Sequence, residues 1–83
     1  MPMPIQYVNL PEWNGQAKHL TDVWRLRKGD RQALCTLSTH PIGGEIRIEI
    51  DGELLRSQAG RNGTELMDLA FEWKSQFLVK GWE

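Results

Sequence analysis

The chain lacks the features that mark several large classes of protein. It has 83 residues and a single cysteine, Cys35, so no disulfide can form within the chain and we expect a reducing compartment. No apolar run is long enough for a signal peptide or a membrane span, so we expect a cytoplasmic protein. The net charge of −1 gives no overall bias toward nucleic acids or membrane surfaces.

Few of the side chains that catalyse reactions or hold metals are present. His19, Cys35 and His40 are the whole histidine and cysteine complement, and their spacing matches no zinc site. Cys35 lies on the inner face of a predicted strand and His40 in the loop at its far end, five residues away, which at roughly 3.3 Å per residue is too far for a nucleophile and its base. We therefore expect no catalytic residue, no metal and no cofactor, and a protein that is not an enzyme.

The N-terminal stretch is interrupted by proline. Pro2, Pro4 and Pro11 forbid a helix and favour extended backbone in their neighbours. We predict an extended arm over residues 1–21, followed by a single domain over residues 22–83. The sequence leaves open whether this arm packs on the domain.

Two hairpins follow the arm. In the first, Gly29-Asp30 is a two-residue turn, which places Trp24 opposite Cys35 and gives one consistently apolar face. In the second, Asp51-Gly52 follows a strand in which isoleucine alternates with charged residues. A regular hairpin there places Arg47 opposite Arg56, and also Ile48 opposite Leu55. We expect THPIGG, residues 39–44, to form the loop between the two hairpins.

The last twenty residues carry the pattern of an amphipathic helix. Asn62 is a capping residue with Glu65 three positions later, and the helix is predicted to run to about Lys80. Gly81 and Trp82 fit a C-terminal stop in which an apolar residue folds back. The apolar stripe consists of Leu66, Leu69, Ala70, Trp73 and Phe77. The predicted fold is α+β: an antiparallel sheet of three to four strands in meander order, packed by one C-terminal amphipathic helix.

Two surfaces are candidates for binding. The outer sheet face is predicted to carry four arginines, which can hold phosphates or acidic groups, although any solvated sheet face needs polar residues. These candidates are Arg25, Arg27, Arg47 and Arg56. The helix has more apolar surface than one small sheet needs, which indicates an interface with a partner or second copy unless the arm covers it. The candidate interface residues are Met67, Phe71, Leu78 and Trp82.

The stretches WRLRKGDR, THPIGGE, DGELLRSQ and FLVKGW resemble a group of short bacterial proteins without known activity. This resemblance implies a bacterial origin and assigns no functional residue. The expected sheet backed by one helix also resembles, in architecture alone, the AP2 DNA-binding domain and the integrase arm-binding domains. The chain departs from them in its inward Trp24, acidic helix and net charge.

These observations favour a small non-enzymatic interaction or regulatory module that acts through its helix stripe and outer sheet face. We expect a protein partner or self-association, with a homodimer as one form. The alternative is a nucleic-acid-binding domain that uses arginines on the sheet face. Nothing in the sequence indicates a membrane partner.

Overall fold

The computed structural model describes residues 10–83, which form one sheet and one helix. The strands are β1 (His19–Lys28), β2 (Arg31–His40), β3 (Gly43–Ile50) and β4 (Glu53–Gly60), and the helix is α1 (Gly63–Val79). The antiparallel sheet has the order β1-β2-β3-β4, and α1 packs on one of its faces. The predicted α+β meander with a C-terminal helix is therefore confirmed.

The N-terminal arm is only partly described. Residues 1–9, with the apolar and proline positions predicted there, lie outside the described residues. Residues 19–21, which the sequence grouped with the arm, belong to β1. Between them, Lys18 and Thr39 exchange hydrogen bonds, from Thr39 N to Lys18 O at 2.9 Å and from Lys18 N to Thr39 Oγ1 at 2.7 Å. Leu10 packs against the core, so the segment 10–18 contacts the domain at both of its ends, while residues 11–18 are exposed.

All three hairpins close with two-residue turns. Asp51 and Gly52 have φ of 52° and 85°, the left-handed pair whose twist matches the flanking strands. The turn between β2 and β3 is also only two residues long, so the predicted six-residue THPIGG loop is wrong. Its outer residues pair across the strands, with His40 opposite Gly43.

The register of the first hairpin is the predicted one. Trp24 lies opposite Cys35 and Leu26 opposite Ala33, with all four side chains on the face that meets α1. Two irregularities interrupt the earlier part of β1, between His19 and Thr21 and between Asp22 and Trp24. A bulge of this kind increases the twist of a strand and weakens its ability to pair with another chain.

The register of the second hairpin is not the predicted one. Leu54 pairs with Glu49 as a regular hairpin requires, but Arg56 pairs with Ile48, so Leu55 is the extra residue of a bulge. Arg47 therefore lies opposite Ser57, and the expected pair of facing arginines does not exist. An inserted residue reverses the face on which every later side chain of the strand lies. The bulge is thus the reason that Arg56 points toward α1.

The core lies between the sheet and the helix stripe. It contains three of the four tryptophans, and Ala33, Cys35, Ile46, Ile48 and Ala70 are fully buried. The indole nitrogen of Trp24 donates a 2.8 Å hydrogen bond to the carbonyl oxygen of Ala70. Large aromatic side chains bury much surface per residue, which suits a domain of this size.

Both ends of α1 have the predicted caps. The side chain of Asn62 accepts a 3.0 Å hydrogen bond from the backbone N–H of Glu65. At the other end Gly81 has φ of 95°, and the backbone N–H of Trp82 donates to Phe77 O at 3.1 Å. This pattern, with Gly81 N also bonded to Leu78 O, is the Schellman motif, and it folds Trp82 back onto the helix.

The two edges of the sheet differ. On β1, Arg27 and Glu83 exchange backbone hydrogen bonds of 3.0 and 2.8 Å, and Lys28 Nζ donates to Lys80 O at 2.7 Å. Within residues 10–83 no segment pairs with the outer side of β4, and residues 53–58 of that strand are all exposed. β4 is therefore the open edge of the described sheet.

Candidate functional site

Apolar side chains extend beyond the core on one side of α1. Met67, Phe71 and Leu78 follow one another at helical spacings of four and seven residues, so they lie along one line of the helix. Phe71 is 46% exposed and Leu78 47%, whereas Met67 is partly buried against the core. We call these three residues the lateral strip. Three of the four predicted interface residues thus lie on one surface.

Trp82, the fourth predicted interface residue, does not belong to the lateral strip. It is buried in the core, and its ring meets that of Phe77 with centroids 5.3 Å apart. Phe77 in turn lies 5.4 Å from Trp24. The prediction that Trp82 forms an exposed interface is wrong, because the Schellman motif turns it inward.

Acidic residues border the lateral strip. On a helix with 100° per residue, Asp68 and Glu72 lie beside Phe71 on the solvent side, and both are exposed. Lys74 lies on the opposite flank, between the lateral strip and the core, and is partly buried. The surface is therefore an apolar line with carboxylates along its outer border.

Three of the four predicted arginines lie on the outer sheet face. Arg25 pairs across the sheet with Leu34 and Arg27 with Gln32, while Arg47 occupies a central position on β3. The prediction for Arg56 is wrong, since the bulge in β4 places it on the helix face.

The outer sheet face carries as many carboxylates as arginines in this central region. Asp22 Oδ2 lies 3.3 Å from Arg25 Nη2, and Glu45 Oε1 lies 3.7 Å from Arg47 Nη1. Glu49 adds a third carboxylate beside Leu34. The resulting face is close to neutral, which is a weak attraction for a polyanion.

Two further details describe the charges on this face. The pKa of Asp22 is lowered, chiefly by a hydrogen bond with His19 Nε2 at 2.8 Å. Desolvation opposes this effect, and the hydrogen bond and charge of Arg25 lower the pKa further. The Nε of Arg47 is buried and makes no hydrogen bond within the described part of the chain.

Cys35 and His40 do not form a catalytic pair. Cys35 is fully buried, and burial raises the pKa of its thiol to about 12, so the nucleophilic thiolate is absent at neutral pH. His40 lies on the same strand five positions away, and an odd separation places the two side chains on opposite faces. The Nδ1 atom of His40 lies 3.2 Å from the backbone N–H of Ile42, so it belongs to the turn.

Residues 10–83 contain no cluster of three His, Cys, Asp or Glu side chains with the arrangement of a metal site. Among the same residues no helix has the length and apolar character needed to cross a membrane.

Comparison with protein-family models, curated proteins and solved structures gives no match for this chain. The resemblance to short bacterial proteins therefore stays a prediction.

Proposed function

We propose that the chain is a small interaction module that associates through the lateral strip, in the first place with a second copy of itself. The observation that carries this proposal is the exposure of Phe71 and Leu78, each nearly half accessible, on a helix whose core stripe is already satisfied. Val79, 87% exposed, follows Leu78 but lies about 100° farther around the helix, on the side bordered by Asp68 and Glu72, so it is not counted in the strip. Contiguous apolar surface of this kind on a small protein is typical of an interface.

The lateral strip allows an antiparallel pairing of two helices about a two-fold axis at its midpoint. Met67 and Leu78 are equally far from the midpoint of the strip, so a two-fold axis there brings Met67 of one copy to Leu78 of the other. The same axis brings Phe71 opposite Lys74, where an ammonium group on an aromatic ring is favourable. In this arrangement the carboxylates of Asp68 and Glu72 in one copy do not lie opposite those of the other copy.

The energy of such a pairing can be bounded from the exposed fractions. Complete burial of a Phe or Leu side chain contributes about 1.5–3 kcal/mol. Because Phe71 and Leu78 are already about half buried, burying the rest contributes about 1 kcal/mol for each. In a symmetric dimer each residue appears twice, so losing either one costs about 2 kcal/mol, or roughly 30-fold in the dissociation constant.

Light scattering on a concentration series, with analytical ultracentrifugation, tests the proposal. We expect wild-type protein to dimerise, and Phe71→Gln or Leu78→Gln to weaken dimerisation roughly 30-fold without loss of the fold. Ile42→Gln is the matched control, because Ile42 is 48% exposed but lies in the turn between β2 and β3. A wild type that stays monomeric at the highest concentration, or equal effects of all three substitutions, would show that the proposal is wrong.

Nucleic-acid binding by the outer sheet face is the second candidate, and Arg47 is the observation in its favour. Its guanidinium is central on the face and its Nε has no hydrogen-bond acceptor among the described residues. The matching number of carboxylates gives this candidate less support than the lateral strip. This candidate is supported if duplex DNA or RNA binds, if binding weakens steeply as salt is added, and if Arg47→Glu abolishes binding. If neither nucleic acid shows salt-sensitive binding, the candidate is ruled out.

A further inference from the structure

An open cleft of about 190 Å³ runs between β4 and the C-terminal half of α1. Its lining combines apolar side chains with two cations and one amide: Ile50, Leu55, Arg56, Gln76, Phe77, Lys80 and Trp82. The lateral strip lies on the other side of α1, since Gln76 is about 140° around the helix from Phe71. The cleft is therefore a surface separate from the proposed dimer interface.

The bulge in β4 creates this cleft. Leu55 and Arg56 are consecutive, and in a regular strand they would point to opposite faces. Because Leu55 is the extra residue, both line the cleft on the helix side of the sheet. Bulges that redirect a side chain are common next to binding sites.

Arg56 lies against an aromatic ring and has no anionic partner within the described part of the chain. Its guanidinium carbon lies 4.2 Å from the ring centroid of Trp73, which is itself buried. Residues 10–83 contain three arginine–carboxylate ion pairs within 4.0 Å and one contact between His19 and Asp22, and neither Arg56 nor Lys80 takes part in any of them. Glu53, the carboxylate that precedes Arg56 on β4, does not line the cleft.

The two cations differ in this respect from Arg25 and Arg47, two of the three arginines of the outer sheet face. Arg25 and Arg47 have carboxylates of the same chain beside them, so their charges are compensated within the domain. Arg56 and Lys80 border an apolar cleft, and their side-chain donors bind no acceptor among residues 10–83. Stacking restricts the guanidinium plane, so less freedom is lost when its donors bind a carboxylate.

We propose that this cleft binds an amphipathic carboxylate. The carboxylate accepts hydrogen bonds from Arg56 and Lys80, and a short aliphatic group lies on the apolar floor formed by Ile50, Leu55 and Phe77. The volume is below the roughly 300–1,000 Å³ of pockets that hold drug-sized ligands, so one short chain or one side chain fits. The same chemistry is present in a free fatty-acid-like anion and at the C-terminus of a peptide ending in an apolar residue.

Titrations followed by ¹H–¹⁵N NMR test this site with matched probes. N-acetyl-leucine and octanoate carry the carboxylate, and N-acetyl-leucinamide and octanamide are their neutral counterparts. We expect the acids to shift the signals of Leu55, Arg56, Gln76, Lys80 and the Trp82 indole, and to bind at least 10-fold more tightly than the amides. Tighter binding of N-acetyl-leucine identifies a peptide C-terminus as the source, and tighter binding of octanoate a free acid.

Three single substitutions separate the site from general charge effects. Arg56→Gln should weaken binding of the acids about 10-fold or more. Lys80→Gln should weaken binding less, because a lysine side chain lacks the planar fork with which an arginine binds a carboxylate. Arg25→Gln is the control, because it removes one positive charge from the opposite face. Lys80→Gln also tests the site independently of the stacking on Trp73.

The proposal is overturned if the acids cause no localised shifts, or if acids and amides bind equally well. It is also overturned if Arg56→Gln and Lys80→Gln, both folded, bind the acids as the wild type does. These outcomes are independent of the oligomeric state, so failure here leaves the lateral strip unaffected. Conversely, a protein that is monomeric but binds the acids would contradict the proposed dimer and support the cleft.

Discussion

Replacement of Gly43 by alanine tests how the sheet is joined to the helix. Gly43 begins β3 with φ of 144°, a conformation that residues with a side chain rarely adopt. A Cβ atom there would lie 2.6 Å from the carbonyl oxygen of Gly60 and 2.9 Å from the Cα of Arg61. Both neighbours are backbone atoms, so no side-chain rotation relieves the clash. The turn between β2 and β3 is thus packed directly against the segment that leads into α1.

The expected loss of stability has two parts. Backbone strain at such a φ costs about 1–3 kcal/mol, and forcing an extra carbon into a packed site costs about 1–3 kcal/mol more. We therefore expect Gly43→Ala to lower the free energy of unfolding by about 2–6 kcal/mol. A domain of 83 residues has a total stability of about 4–12 kcal/mol, so this loss is a large share of it. At about 4–8 °C per kcal/mol for a domain of this size, the melting temperature should fall by roughly 10–50 °C.

Urea unfolding followed by tryptophan fluorescence measures this loss. Gly29→Ala is the matched control, since Gly29 has φ of 64° but its Cβ position has nothing within 4 Å. It should cost about 1–2 kcal/mol, from the left-handed backbone alone. If Gly43→Ala is no more destabilising than Gly29→Ala, the close contact between the turn and residues 60–61 does not exist in the native protein.

Two further predictions concern the core. Trp24→Phe removes the hydrogen bond to Ala70 and leaves space in the core, so it should destabilise the domain by about 1–3 kcal/mol in the same urea assay; an unchanged midpoint contradicts this. The raised pKa of Cys35, from 9.0 to about 12, means that the folded state favours the protonated thiol. The contribution of the protonated Cys35 thiol to the free energy of unfolding is therefore complete below pH 9, and it is lost as the pH rises toward 12. Cys35 should also resist a thiol reagent at pH 8 until the protein is unfolded, and rapid reaction of the folded protein would refute the burial.

One inserted residue on β4 has opposite effects on the two candidate binding surfaces. It removes Arg56 from the outer sheet face, which leaves Arg25, Arg27 and Arg47 there beside Asp22, Glu45 and Glu49, and so weakens the case for a polyanion ligand. It also brings Leu55 and Arg56 together beside α1, where they line the cleft. The most informative feature for function is therefore a local irregularity of the backbone.

Local patterns predicted most of the fold. The alternation around Trp24 and Ile48, the turns at Gly29-Asp30 and Asp51-Gly52, and the Asn62 cap each depend on residues close together in the chain. For this reason the element order, the register of the first hairpin and both helix ends were predictable. Of the interface candidates, Met67, Phe71 and Leu78 followed from helical spacing alone.

The face on which Arg56 lies and the burial of Trp82 depended on contacts between distant segments. A bulge is favoured by packing against another element, and here Arg56 gains the ring of Trp73, 17 positions later in the chain. Trp82 was predicted to fold back, but only the position of Phe77 against Trp24 shows that it enters the core. The sequence by itself determined which segments are strands and helix, because those preferences are local. The tertiary structure decided which side chains remain available for binding, because burial depends on what the rest of the chain brings against them.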